Sequence, residues 1–426
     1  MRLSEEEKAI LNGDQGPARQ KALDLLVKYG EALDAEKLVE TNNVIGAVVS
    51  GLLSIIRTNP EISEPDEAFS KYFLNSEKTL PIPQVKAYTC HVINSMDPAH
   101  WEALGFQRKE LETYLKMEKF CARIGMQMMN TCTPYMLGNV PVKGEHCGWM
   151  ESSAVVYCNS VLGGRTNTEG TESCAAAMLV GRIPYWGYHL DENRLGTHLV
   201  QVEYDVESEM DWGLLGYYIG EIVQEQVPVI QGIKHTPNIA RLKHCGAAAA
   251  SSGGIELYHV VGVTPEAPSL EAAFGGRKPP QSLKFGQAER KMAYDILNSG
   301  TESDVDFVML GCPHYSLEQL WSAGKLLEGK RVSPNTRLWI FAPKALKDIA
   351  DRQGLTQIIE SSGAVLMTDT CPCICRKAPK DARVAATDSA KQTHYMPAIL
   401  NLPTYFGSQE DCIRTAVSGK WKGELK

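Results

Sequence analysis

From residue 305 onward, apolar runs and amphipathic stretches alternate. Val305–Leu310 reads as a buried strand, Leu317–Leu327 as a helix and Arg337–Ala342 as a second strand. Ala345–Ser361 reads as a helix and Ala364–Met367 as a third strand. Strand, helix and strand in such succession imply parallel strands joined by right-handed crossovers. This pattern narrows the fold to an α/β architecture, whose ligands gather beyond the carboxyl ends of the strands.

Three cysteines sit just past apolar runs of this kind: Cys132 after Ile124–Met129, Cys312 after Val305–Leu310 and Cys371 after Ala364–Met367. Three thiols delivered to one sheet edge would make a site for a soft metal, above all an iron–sulfur cluster. Three thiolates rather than four would leave one iron free for substrate. Proline directly after Cys312 and Cys371 turns the chain and holds the preceding residue extended. The plainer reading is that the chain has 12 cysteines and that small thiols often fill cores. Cys121, Cys147, Cys158, Cys174, Cys245 and Cys412 carry no spacing signal. No Cys-x-x-Cys pair occurs, which argues against a structural zinc site.

A chain of 426 residues is too long for one ordinary core, so two or three domains are expected. The net charge of −8 argues against a nucleic-acid binder, which would carry a basic stripe. The longest apolar stretch, residues 44–56, is too short to span a bilayer and is interrupted by Gly and Ser. The first residues form no secretory apolar core. Many cysteines without such a leader imply a reducing, cytoplasmic setting and free thiols or metal ligands.

The first 60 residues read as helical, with Ser4 and Glu7 as a capping box and a break at 13–17. Residues 58–82 look like a surface excursion before a strand at Val85–Tyr88. Arg108–Gly125 has a helical apolar face, and Gly275–Gln287 reads as a linker. The expected organisation is an N-terminal helical region (1–84), an α/β region holding Cys132 and Arg165 (85–287), and an α/β domain holding Cys312 and Cys371 (288–426).

The stretch from Glu151 to Gly170 is the second informative region. Arg165 follows Gly163-Gly164 among Asn, Ser and Thr, a setting suited to bidentate binding of a carboxylate or phosphate. The bland alternative is a Gly-rich turn with solvated polar residues. The spacing fits no standard phosphate loop.

These residues carry a resemblance. Thr131-Cys132-Thr133-Pro134-Tyr135, Gly138-Asn139-Val140-Pro141, Glu151 to Val156 and Asn159 to Asn167 resemble the aconitase X family. So do Gly311-Cys312-Pro313-His314, Asp369-Thr370-Cys371-Pro372, Ser389-Ala390-Lys391 and Tyr405-Phe406-Gly407-Ser408. The resemblance runs in order along nearly the whole chain. It implies an aconitase-like fold, with several α/β/α domains of parallel sheets around a cleft and the swivelling β-domain absent from this chain. It also implies a hydro-lyase whose iron or iron–sulfur centre is held by Cys132, Cys312 and Cys371. The substrate would be a small hydroxy acid, with cis-3-hydroxy-L-proline first and mevalonate 5-phosphate, or a substrate different from both, as the alternatives.

Carried over residue by residue, the catalytic candidates are His314, Lys391 and Ser389. His314 would deliver a proton to the leaving hydroxyl or support the cluster as a donor. Lys391 and Ser389 stand in as bases. Glu151, Ser152, Asn159, Ser160, Arg165, Thr166 and Asn167 are the substrate-binding candidates. A separate small β-rich swivelling subunit is the implied partner. The opposing reading is a self-sufficient enzyme with residues 58–82 and 264–287 as its lid.

The chain departs from the family pattern at Val44 and Ile45, at Cys90 and His91, and in the added thiols Cys373 and Cys375. Two other function classes stand beside the dehydratase: a non-catalytic subunit that kept the fold, and a thiol-redox iron–sulfur protein built around Cys371-Pro372-Cys373-Ile374-Cys375. The latter's spacing is poor for thioredoxin-type cycling.

Overall fold

The computed structural model describes residues 1–59 and 61–425. Its N-terminal part holds strands β1 (Leu38–Glu40), β2 (Asn43–Gly46), β3 (Tyr88–His91), β4 (Gly148–Trp149) and β5 (Arg182–Pro184). The middle part holds β6 (His198–Val202), β7 (Pro228–Gln231), β8 (His259–Val260) and β9 (Gln281–Phe285). The C-terminal part holds β10 (Phe307–Leu310), β11 (Arg337–Phe341), β12 (Val365–Met367), β13 (Ala385–Thr387) and β14 (Thr404–Phe406). Three sheets are parallel throughout, in the orders β3-β2-β4, β8-β7-β6-β9 and β12-β11-β10-β13-β14. β1 and β5 form a separate antiparallel pair.

Each parallel sheet has the same logic. Its first strand in the chain lies inside, and later strands add on both sides of it. The connections therefore reverse direction beside β2, β6 and β10, and a crevice opens there at the carboxyl ends.

The β10 run shows why the C-terminal pattern folds this way. Phe307 and Met309 face a core shared by all three sheets, which also holds Ile45, Trp149, Val200 and Ile230. Val308 and Leu310 face a second core under the outer helices. A strand apolar on both faces is what a sheet covered by helices requires, and each such side chain contributes about 2 kcal/mol by burial.

The middle part is joined by two helices, Glu209–Val223 and Ile239–Gly253. They touch backbone to backbone. A Cβ on Gly216 would lie 2.1 Å from the Cys245 carbonyl oxygen, and one on Gly253 would lie 2.0 Å from that of Gly220.

Several sequence expectations are corrected. Between the N-terminal helices lie β1 and the central strand β2, because the buried run Val44–Gly46 reads alike as helix or strand. Residues 58–82 are not a surface excursion throughout: Ile62, Phe69, Phe73 and Leu74 are buried. Ile124–Met129 is no strand. It leaves a helix at Gly125 (φ +93°), and only Gln127 bridges to Cys90. Gly354 (φ +69°) splits Ala345–Ser361 into two helices, Lys344–Arg352 and Leu355–Ser361. The expected linker Gly275–Gln287 contains the edge strand β9, whose exposed Gln and Lys hid it. The strand expected at Val85–Tyr88 lies three residues later.

Gly216→Ala should destabilise the protein by about 1–3 kcal/mol, because the new methyl meets backbone that cannot yield. Urea unfolding checks this, and an unchanged midpoint would contradict the close helix contact.

Candidate active site

Six candidate site residues lie at the carboxyl edges of two different sheets. In the C-terminal sheet, β10 runs into Gly311-Cys312, β12 into Asp369-Thr370-Cys371, and β13 into Asp388-Ser389 and on to Lys391. β10 and β13 are neighbours at the reversal point, so Cys312 and Ser389 share its crevice. Gly311 makes this possible: its φ is +94°, and a Cβ there would lie 2.1 Å from the Phe341 carbonyl oxygen. In the N-terminal sheet, the chain passes the end of β3, turns at Asn130 (φ +49°) and reaches Cys132. Glu151 follows β4 and caps the helix Ser152–Tyr157 by accepting from the Ala154 N–H at 2.8 Å. The two sheet edges are tied directly. The Asn94 N–H donates to the Asp369 carbonyl (2.7 Å), and the Thr368 N–H donates to Asp97 Oδ2 (2.9 Å).

His314 joins the three cysteine loops. Its backbone N–H donates to Cys132 Sγ at 3.3 Å. Its ring Nε2 lies 2.9 Å from the Thr370 carbonyl oxygen, next to Cys371, and Nδ1 lies 3.0 Å from Thr131 Oγ1, next to Cys132. A carbonyl only accepts, so Nε2 carries the proton and Nδ1 accepts from the Thr131 hydroxyl. Burial lowers the His314 pKa to about 4, so the ring is neutral. From the middle part, the buried Lys243 ammonium donates to the carbonyls of Pro313 (3.3 Å) and His314 (3.0 Å) and to Gln319 Oε1 (2.6 Å). Gln319 in turn donates to Glu209 at 2.6 Å.

A buried ion pair bridges the two sheets. Lys391 Nζ donates to Glu151 Oε1 at 2.7 Å and to the hydroxyls of Ser152 and Ser153, each at 3.1 Å. Burial alone would raise the Glu151 pKa, but the Lys391 charge and the surrounding hydrogen bonds outweigh it and hold the carboxyl below its ordinary value. Burial would likewise lower Lys391, but the charge of Glu151, then that of Cys312, keeps it well above normal. The pair stays ionised.

All three thiols are buried. Burial pushes Cys132 up to about 12, with Glu151 and Cys312 adding to it. Burial also raises Cys312, against Lys391 and Ser389, and raises Cys371, with Cys312, Cys373 and Cys132 adding to it. The three therefore feel one another. Among the described residues, the set of three donor atoms lying within 4.8 Å of one another is Asp205, Glu207 and His235 at the surface. The three sulfurs are spread more widely. Nearby, the Tyr135 hydroxyl, Asp388 Oδ1 and Gln392 Nε2 are buried without hydrogen-bond partners. Soft donors, a fixed cation and unsatisfied polar atoms in this region fit an iron–sulfur group.

Sequence models of the aconitase X first, second and third domains match residues 1–192, 196–295 and 305–418. The chain belongs to the aconitase X family. It is 35% identical to the phosphomevalonate dehydratase large subunit of Methanocaldococcus jannaschii, over 97% of this chain and 100% of that one. It is 32% identical to cis-3-hydroxy-L-proline dehydratase of Pseudomonas aeruginosa, over 98% of this chain and 70% of that one. The crystal structure of Thermococcus kodakaraensis aconitase X in its holo-form superposes with a TM-score of 0.81 at 30% identity, covering 98% of this chain and 100% of that one. As an aconitase X protein related throughout to named dehydratases, this chain is a hydro-lyase.

In this aconitase X chain the Gly-rich stretch divides. Glu151 and Ser152 join Lys391. The others are engaged in holding loops. Asn159 donates to the carbonyls of Thr166 (2.8 Å) and Glu256 (2.9 Å) and accepts from the Thr166 N–H (3.0 Å). Ser160 accepts from the Tyr258 N–H, Thr166 from the Trp149 N–H and Asn167 from the Tyr188 N–H. Arg165 pairs with Asp191 and donates to the His189 carbonyl at 2.8 Å. No described bond ties it to the thiols. At the departures from the family pattern, Val44 and Ile45 are buried in β2. His91 accepts from the Val49 N–H at 2.9 Å and faces the Val92 carbonyl at 2.6 Å. Sequence reasoning missed Lys243, Thr131 and Asp388. The only signal for Lys243 was a Lys-His-Cys run inside an Ala-rich helix.

Arg165→Lys should leave turnover and bound iron within about twofold of wild type, with a stability loss of about 1 kcal/mol from the lost carbonyl contact. Steady-state kinetics and thermal unfolding check this, and a collapse of turnover at normal stability would place Arg165 on the substrate.

Burial also lowers His91 to about 4. Between pH 6.5 and 4 the unfolded chain binds a proton that the folded chain excludes, so stability falls as pH drops through that window. The contribution from His91 is about 3 kcal/mol at most. His91→Gln should flatten the pH dependence of urea unfolding, and an unaltered slope would contradict this.

Proposed function

We propose that this chain is the large, catalytic subunit of an iron–sulfur-dependent dehydratase that eliminates water from a small hydroxy acid. The observation that supports this reading is the bonding of His314, two residues after Cys312, to Thr131 and Cys132 on one side and to Thr370, next to Cys371, on the other.

When bound, such a cluster supplies Lewis acidity to a departing hydroxyl. The protein residues do the rest. Lys391 is a fixed positive charge: Glu151 and two serines hold it, and it offsets the negative charge of the thiolates. Because it stays protonated, it is not the base at neutral pH. Ser389 accepts from the Gln392 N–H at 3.1 Å, and its hydroxyl lies within hydrogen-bonding reach of Cys312. His314 has both ring nitrogens committed, which favours the supporting role over proton delivery.

Relatives named large subunits support a small-subunit partner, docked over the edge where the three thiols meet. Closure by that partner would exclude water and strengthen the charges inside. The base that takes the substrate proton is either Ser389, once its hydroxyl has given up its own proton, or a group of that partner.

The sequence resemblance puts cis-3-hydroxy-L-proline first among substrates. Mevalonate 5-phosphate is the second reading, favoured by whole-length correspondence with the phosphomevalonate dehydratase large subunits. Anaerobic reconstitution of the chain with a small subunit, assayed on both acids, tests the function. Dehydration of either supports it, and inactivity of a verified iron-loaded complex on both and on a wider hydroxy-acid panel would overturn it. Cys132→Ser, Cys312→Ser and Cys371→Ser should each lose most bound iron, whereas Cys121→Ser and Cys412→Ser should retain it. Wild-type iron in the first three would remove them from the metal site.

A further inference from the structure

Lys243 is 1% exposed on the helix Ile239–Gly253 of the middle part, yet its bonds all reach residues 313–319 of the C-terminal part. Its acceptors are the Pro313 carbonyl, the His314 carbonyl and Gln319 Oε1, one for each proton of an ammonium. All three are neutral. Among the described residues no carboxylate bonds to Lys243 directly, and Glu209 stands one bond further on, beyond Gln319. This sets Lys243 apart from Lys391, which Glu151 pairs at 2.7 Å. Burial lowers the Lys243 pKa, and Glu209 is the first charge opposing it. Neutral carbonyls are served as well by a neutral donor, and a buried cation is costly unless negative charge answers it.

The Pro313 carbonyl shows where the charge acts. That carbonyl and the His314 N–H are the two ends of one peptide group. Lys243 Nζ donates to the oxygen at 3.3 Å, and the N–H donates to Cys132 Sγ at 3.3 Å. A cation at the carbonyl draws electron density from the peptide and makes its N–H a stronger donor, as in other chains of linked hydrogen bonds. The accepting sulfur gains most when it carries negative charge. The same ammonium holds the His314 carbonyl at 3.0 Å, so the peptide is fixed on both sides.

We propose that Lys243 is a positioning residue for the metal site: its charge, passed through the Pro313–His314 peptide, stabilises negative charge on the Cys132 sulfur and so favours the reduced state of an iron–sulfur group held there. Hydrogen bonds to ligand sulfurs and the surrounding net charge set the potential of such a group. The proposal rests on the metal-binding reading of Cys132, Cys312 and Cys371, and the experiment separates the two.

Wild type, Lys243→Met and Lys243→Gln are loaded with ferrous iron and sulfide under argon. Bound iron is measured first, and a redox titration is then followed by visible absorption. Gln keeps one neutral donor, in case Met does not fold. At a fixed potential, both variants should show the ratio of reduced to oxidised group lowered about tenfold, a shift of about 59 mV toward negative potential for one electron. A site that is merely loosened admits water, which stabilises the more charged reduced state and moves the potential the other way. An unchanged or more positive midpoint in loaded Lys243→Gln therefore overturns the proposal. If wild type takes up iron and neither variant does, Lys243 serves assembly rather than potential, and the proposal is likewise overturned. If wild type itself binds no iron, the metal reading fails and the proposal falls with it.

Discussion

The active region depends on one neutral, fully buried imidazole. His314 stands two residues after Cys312 and reaches the loops of both other cysteines through its two ring nitrogens and its backbone N–H. Loops at the edges of two sheets, 180 residues apart in sequence between Cys132 and Cys312, become one site only if something fixes their mutual position. Burial keeps the ring uncharged, and each nitrogen then has one role: a donor to Thr370 and an acceptor from Thr131. Lys243 extends the same constraint to the middle part by holding the carbonyls of Pro313 and His314.

Charge is arranged around this scaffold with little redundancy. Lys391 and Glu151 compensate each other inside the protein, and two serines complete the lysine's donors. A buried pair of this kind adds little net stability, but removing one partner leaves an uncompensated charge. The thiols themselves are held protonated by burial. Binding a cation reverses that preference, so occupancy and thiol ionisation are coupled.

The sequence was most legible where local periodicity and tertiary burial agree. β10, β11, β12 and the helix Leu317–Leu327 lie within two residues of their expected bounds, because a run covered on both faces needs apolar residues throughout. Gly354, which divides the following helix, was visible but not decisive by itself. β2 and β9 were missed for opposite reasons: one is a short apolar run that could be either element, and the other is an exposed edge strand that reads as polar loop. Cys312 and Cys371 could be chosen as candidates because strand ends and family resemblance point to the same places, whereas Lys391, Ser389 and Glu151 rested on the resemblance. The polar residues around Arg165 are ambiguous in the sequence. Asn159, Thr166 and Asn167 satisfy the backbone groups of an irregular loop, and such side chains look the same in sequence as ligand contacts. Lys243 had little local pattern beyond its Lys-His-Cys run, since its partners come from another part of the chain.

The most direct measurement is an anomalous-scattering map at the iron absorption edge, from crystals of the anaerobically reconstituted chain. The account predicts iron density bonded to the sulfurs of Cys132, Cys312 and Cys371, with His314 still bridging Thr131 and Thr370. Iron bound elsewhere, such as at Asp205, Glu207 and His235, or held by fewer than these three sulfurs, would contradict it.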